Sequence, residues 1–446
     1  MSAKNRRERE MFKYRLTTGF IVGLTVALVI ALIIVNNSYR LKNMFKKDEP
    51  ETTASGETTQ SPEDVEALRV DAVIAQARII ADGYDYEGAI EFIKSDEAYR
   101  QTLKMLEEVE SLENEAKTMV KWSDVRTISH IYVNSLIANM SRAKTGTYGA
   151  ANYNSDYITT GEFKALLEEL YKRDYVLVSI HDIAYYDEEK NKMVWGEIYL
   201  PAGKTPIVLS QENTCYSTEK SANGCADKMV IDAYGDLLCQ FNNGTENLMG
   251  AYDLVPILED FIVQHPSFSY RGARALLGIS GKNGLFGYNI SDKNASDYQI
   301  NMDMVAKIAA KLTDMGYEFA FNGYDYSKNL CKMDYDTFVY NCAYWKDNIA
   351  SIIGGTDVVI FPQGGDIGDW RYYSGDYFNY LKGEGYNYYV NSNDADKAWN
   401  QILDAYARQG RRIVSGATLY STYQGGDYLS DLCDAKNVYD YSGRVF

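Results

Sequence analysis

Histidine is the scarcest chemistry-bearing residue in this chain: only three occur among 446 residues. They are His130, His181 and His265, so nothing after position 265 offers an imidazole for proton transfer or metal ligation. His130 and His181 fall in strand-like runs and read as structural groups, and His265 reads as a helix C-terminal residue favoured by the dipole. No two of the six cysteines form a CxxC pair, which removes a zinc ribbon. An even cysteine count permits disulfides in an oxidising compartment, with Cys215–Cys225 and Cys331–Cys342 as local candidates, and six reduced thiols remain the alternative. Basic residues are in deficit, 45 Lys and Arg against 62 Asp and Glu, for a net charge of -17 and a pI near 4.8. That balance excludes nucleic acid as a partner, because phosphate contacts need a basic face.

Charge is absent altogether from residues 16–35, LTTGFIVGLTVALVIALIIV, a run long enough to cross a bilayer as a helix. The basic residues ahead of it favour a cytoplasmic N-terminus, and no small-residue cleavage pattern follows, so the expectation is an uncleaved signal anchor. This predicts a single-pass cell-membrane protein with the lipid bilayer as one partner and its main domain outside the cell. Residues 1–15 form the cytoplasmic N-terminus. Residues 36–64, rich in Thr, Ser, Glu and Pro toward their end, form a flexible linker. Residues 65–122 carry apolar positions at helical spacing, broken at Gly83–Gly88, and predict a helical stalk.

From residue 123 strands and helices alternate, which predicts an α/β fold on a parallel sheet. The stretch TPIVLSQENTCY, from Thr205 to Tyr216, is the clearest of these units. Ile207, Val208 and Leu209 read as a buried strand, and Ser210, Gln211, Glu212 and Asn213 stand at its carboxyl end, where parallel sheets and barrels place ligand sites. Other expected strands are residues 128–136, 175–183, 275–279, 318–321, 358–361 and 386–390, with helices over 160–173, 254–263, 302–315, 344–353 and 377–384.

The phrases ITTGEFKALLEELYKRDYVLVSIHDI, KTPIVLSQEN, YEFAFNGYDY and VVIFPQGGDIGDW, in that order, resemble polysaccharide deacetylases with the NodB-type domain, carbohydrate esterase family 4. The resemblance spans residues 123–419 and implies a distorted (β/α) barrel, with residues 420–446 as a C-terminal extension. It also implies a catalytic carboxylate and a divalent metal that together activate a water for N-deacetylation of a glycan. The family's base position corresponds to Glu212, and its three metal-ligand positions correspond to Asn213, Asn322 and Tyr326. None of these three supplies an imidazole or carboxylate, a poor set for zinc, cobalt or nickel. The late catalytic histidine of the family has no counterpart after His265. Asp366, Asp369 and Trp370, in FPQGGDIGDW, stand near the family's substrate wall and are candidates for a groove, with an ordinary tight turn as the alternative.

Three functions follow for this chain. One is a catalytically degenerate, membrane-anchored deacetylase-like protein that binds cell-wall or other N-acetylated glycan, with no cofactor. Another is an active deacetylase whose carboxylates, Glu212 with Asp325, Asp366 or Asp369, hold a harder divalent metal. The last is a structural module in which the stalk meets a partner. The loss of every metal-ligand position favours the first.

Overall fold

The structure, a computed structural model, describes residues 61–145, 150–392 and 397–444. These residues fall into two compact units that meet in sequence at Lys117 and Thr118.

The first unit is three helices. Helix α1, Pro62–Asp82, starts in a capping box, with the Ser61 hydroxyl accepting from the Asp64 N–H and the Asp64 carboxylate accepting from Ser61 N–H. Helices α2, Tyr86–Lys94, and α3, Leu103–Ala116, complete it. Val70, Val73, Ala77, Ile93, Met105, Val109 and Leu112 pack into a shared core. Arg69 pairs with Asp96 at 2.5 Å and Arg78 with Glu115 at 2.6 Å on its surface.

The expected transmembrane helix over residues 16–35 lies outside the described residues. Among the described residues no helix is long and apolar enough to cross a membrane. The longest, α1, has 21 residues but carries Glu63, Asp64, Glu66, Arg69, Asp71, Arg78 and Asp82, charges that a bilayer core would penalise. Nothing among the described residues bears out the anchor, the lipid partner or the single-pass cell-membrane location, and these expectations are withdrawn.

The second unit is a closed parallel barrel. Seven strands follow in chain order: β1 Ser129–Val133, β2 Thr205–Gln211, β3 Leu276–Ile279, β4 Glu318–Phe321, β5 Val358–Ile360, β6 Tyr388–Ser392 and β7 Tyr406–Ile413. Each pairs in parallel with the next, and β7 closes the ring on β1 through Arg412 opposite Ile131 and Ile413 opposite Tyr132. The edge of β2 is shared: Tyr175–Leu177 pairs with its first half and β3 with Ser210 and Gln211 at its end. Trp399–Leu403 lies antiparallel to the first half of β7, filling the place that β1 is too short to reach.

Side-chain alternation along each strand sorts residues between the lumen and the helical layer. Val133, Ile207, Leu209, Leu277, Ile279, Phe319, Phe321, Val359 and Tyr389 face outward into the main core, against Phe163, Leu166, Leu258, Ile308 and Trp345 of the surrounding helices. Leu276, Ala320, Val358, Ile360, Tyr388, Val390 and Ala407 fill the lower lumen. Above this apolar floor the inward positions turn polar.

Two differences from the sequence expectation bear on the barrel strands. The strand expected over 175–183 stops at Leu177, because Ser179 and Asp182 form a capping box that starts a helical turn, Ile180–Ile183. His181 therefore sits on that turn and not on a strand. β7 was not expected at all, since its sequence, YARQGRRI, has polar residues on both faces.

The last residues are part of the barrel unit. Helix Gly416–Tyr423 runs across position 419, and Arg412 makes two 2.9 Å bonds to Asp431. Arg444, fully buried, pairs with the fully buried Glu162 at 2.5 Å and donates to the Tyr157 carbonyl at 2.7 Å. Removing one partner strands a buried charge, so Arg444→Met is expected to destabilise this unit by about 3–5 kcal/mol, read as a fall in the urea midpoint.

Candidate functional site

The carboxyl ends of the barrel strands bring Glu212, Asn213, Asn322 and Tyr326 together, as the resemblance implies they should meet. Glu212 follows β2, Asn322 and Tyr326 follow β4, and all but Tyr326 are buried. Their geometry is that of a closed network.

Glu212 is only 3 % exposed, and both its carboxylate oxygens are engaged. The Arg411 guanidinium forms a close ion pair with one, and the Tyr326 hydroxyl donates to the other at 2.6 Å. Arg411 is 0 % exposed, stacks over the Tyr132 ring at 4.2 Å and also donates to Ser210 Oγ at 3.3 Å. One level lower, His130 bridges Ser210 Oγ at 2.9 Å and Gln409 Oε1 at 2.8 Å. Burial, reinforced by the Arg411 charge, holds the His130 imidazole well below its usual pKa, so it is neutral. Burial and the Glu212 charge likewise hold the Tyr326 phenol well above its usual range, and it stays a donor.

Asn213 adopts a left-handed conformation, φ 51°, which asparagine tolerates better than most residues. That turn sends its N–H to Asn322 Oδ1 at 3.0 Å and its carbonyl to the buried Lys220 ammonium at 2.5 Å. Its side-chain oxygen accepts from Ser280 at 2.6 Å, and Asn322 Nδ2 donates to the Ile360 carbonyl at 3.0 Å.

A divalent metal does not fit these residues. The oxygens of Asn213, Asn322 and Glu212 already accept hydrogen bonds, and Tyr326 would have to lose its proton. Asp325, the spare carboxylate nearby, is paired with Lys282 at 2.8 Å. Among the described residues no group of three or more His, Cys, Asp or Glu side chains could hold a metal ion. All six cysteines are free thiols.

The other candidates divide. Asp366 is held by Arg408 at 2.9 Å and by Asn391 Nδ2 at 2.5 Å. Arg408 also lies 3.9 Å over the Tyr373 ring and donates to the Asp369 carbonyl at 2.8 Å, so the loop is pinned to the outer face of β7. Asp369 accepts from the Arg371 N–H at 2.8 Å, an ordinary turn bond. Trp370 is 70 % exposed, with the Arg371 guanidinium 5.5 Å from its ring.

Sequence reasoning missed Arg411, Lys220 and Asp253. Asp253, fully buried, accepts from Leu136 N–H at 2.9 Å and Gln211 Nε2 at 2.8 Å, and burial raises its pKa. The available signal was arithmetic: buried carboxylates at a strand end require a buried cation, and the arginines of RQGRRI were unassigned.

At the opposite end of the barrel His181 lies between Glu318, at 2.6 Å, and Asp357, at 3.1 Å. Burial opposes its charge, but the bonds to Asp357 and Glu318 outweigh it and raise its pKa to about 10.

No family model and no curated protein matches the chain. Among solved structures it is similar to the Streptococcus pyogenes deacetylase PplD in complex with acetate, at 13% identity over 67% of this chain and 94% of that chain, with a TM-score of 0.36. The likeness to that deacetylase is distant.

Two outcomes follow from the site. Arg411→Met is expected to cost about 3–5 kcal/mol of stability in urea denaturation, whereas the double variant Glu212→Leu, Arg411→Met recovers most of it, because an apolar pair leaves no buried charge. The raised pKa of His181 means its charged form stabilises the fold, fully below its unfolded value near 6.5 and no longer once pH has risen through about 10. His181→Gln should cost about 1–2 kcal/mol at pH 7, a figure reduced for the third of the ring that water reaches, and this cost should vanish toward pH 10.5. Asp182, raised to about 6 chiefly by burial, titrates below that window.

Proposed function

We propose that the barrel unit is a polysaccharide deacetylase-like module that does not hydrolyse its ligand and acts by binding saccharide. The observation that carries this reading is the engagement of both Glu212 oxygens by Arg411 and Tyr326. A general base needs uncompensated negative charge and an approach for the water it deprotonates, and Glu212, 3 % exposed, has its charge paired with a guanidinium and accepts from a phenol. The side chains of Asn213 and Asn322 support the same conclusion, since Asn322 is held between the Asn213 N–H and the Ile360 carbonyl, and Asn213 Oδ1 accepts from Ser280.

Saccharide binding is supported by the exposed loop beside the barrel. Trp370 and Tyr372, 70 % and 61 % exposed, offer flat faces with a polar edge, the surface that suits the two-sided polarity of a sugar ring. Asp369 stands next to them.

The test uses the full chain with N-acetylated chito-oligosaccharides and peptidoglycan fragments, with zinc, cobalt, manganese or magnesium added. The expected result is no acetate release with any metal, together with saccharide binding by calorimetry. Metal-dependent acetate release that is lost in Glu212→Ala would contradict the proposal.

A further inference from the structure

A second feature of the barrel unit is separate from both the lumen and the Trp370 loop. The loop after β3 and the loop after β4 are stitched together, with Gly281 and Lys282 N–H groups donating to the Tyr324 carbonyl at 3.1 and 3.0 Å. Tyr324 N–H in turn donates to Asn341 Oδ1 at 2.9 Å, on the helix that begins at Tyr335. Between them lies a cleft of about 130 Å³, walled by Tyr298, Tyr324 and Tyr344, with Asn348, Asp347 and Lys293 at its edges.

Three local devices build this cleft. The Tyr335–Trp345 helix runs on through a π-helical segment, Lys346–Ala350, whose extra residue per turn brings Asp347, Asn348 and Ile349 to the cleft. Such segments are rare within helices and occur frequently at functional sites. Tyr324 and Tyr344 pack at 4.4 Å between ring centroids and 55° between planes, so their faces open at an angle, and Tyr340 extends the row at 5.7 Å. Gly281 makes the floor: a Cβ there would stand 2.6 Å from Ile349 Cδ1 and 3.0 Å from the Tyr324 ring.

The chemistry selects a ligand class. Tyrosine faces take the C–H side of a saturated ring, while phenol and amide groups meet hydroxyls at its rim. One lysine and one aspartate at the edge leave no net charge to favour an ion. The volume is below the ~300 Å³ at which pockets for larger ligands begin, so one ring enters and a chain of rings does not.

We infer that this cleft binds a single neutral pyranose ring, the terminal unit of a glycan. The inference rests on the saccharide reading above for the kind of partner, and on the cleft for where one unit of it docks.

The experiment titrates the full chain with methyl glucopyranoside and with the methyl glycoside of N-acetylglucosamine, followed by saturation-transfer NMR, beside a longer chito-oligosaccharide. Tyr344→Ala and Gly281→Ala should each weaken monosaccharide binding at least tenfold. Tyr344→Phe, which keeps the ring, should hold it within about threefold, and Tyr234→Ala, at an exposed tyrosine that does not line the cleft, should leave it unchanged. Urea midpoints of each variant separate loss of binding from loss of fold, and a variant that fails to fold is replaced by Asn348→Ala. Oligosaccharide binding without monosaccharide binding, or monosaccharide binding that survives both Tyr344→Ala and Asn348→Ala, would overturn the cleft and leave the saccharide reading standing. No binding of any saccharide would overturn both.

Discussion

A guanidinium and a carboxylate share the upper lumen of this barrel, and the layout around them follows from keeping that pair satisfied. Taking two ions out of water costs several kcal/mol each, so Arg411 and Glu212 are tolerable only with their remaining hydrogen-bonding capacity filled. Tyr326 fills one side of the carboxylate, while Ser210 and the face of Tyr132 fill the guanidinium. Burial, reinforced by the positive charge of Arg411, keeps His130 neutral one level below, where the imidazole ties Ser210 to Gln409. Beneath these groups Leu276, Ala320, Val358 and Ala407 close the lumen with apolar side chains. The polar layer thus rests on a dry floor, and the pair works in a low-dielectric setting that strengthens it and punishes any single deletion.

Much of the barrel was legible because its strands are short apolar runs with abrupt polar ends. Ile207, Val208 and Leu209 could be placed in a strand, and Glu212 and Asn213 at its carboxyl end, from that pattern alone. The strand that completes the ring was not legible. Arg408 and Arg412 point outward to Asp366 and Asp431, while Gln409 and Arg411 point inward to His130 and Glu212, so neither face carries an apolar period. Its side-chain partners His130, Glu212 and Asp366 lie elsewhere in the chain, and only the closed topology buries Arg408, Gln409, Arg411 and Arg412 in one strand. The strand expected to reach Ile183 failed for a local reason, the Ser179–Asp182 capping box that a period-2 reading overlooks.

The candidate site was legible in position and partly in chemistry. Glu212, Asn213, Asn322 and Tyr326 do converge, yet what they form became clear only with Arg411 and Lys220 in place. A base position and three neutral positions suggested subtraction, the loss of a metal. The geometry adds that these positions are held by hydrogen bonds to one another and to Arg411, Lys220 and Ser280. A barrel alone therefore does not fix what its mouth does. Expectations tied to the apolar run at 16–35 do not carry into the described residues, whose longest helix is charged along its length.

The central claim is that Glu212 belongs to Arg411 and is unavailable to a metal or a water. Side-chain NMR of Arg411 in the full chain, recorded while zinc is added to several equivalents, addresses this directly. The account predicts a guanidinium whose N–H protons exchange slowly and whose resonances do not move at any zinc concentration. Fast-exchanging protons, or resonances that shift with saturation at one equivalent of zinc, would show Glu212 released to a metal and would contradict it.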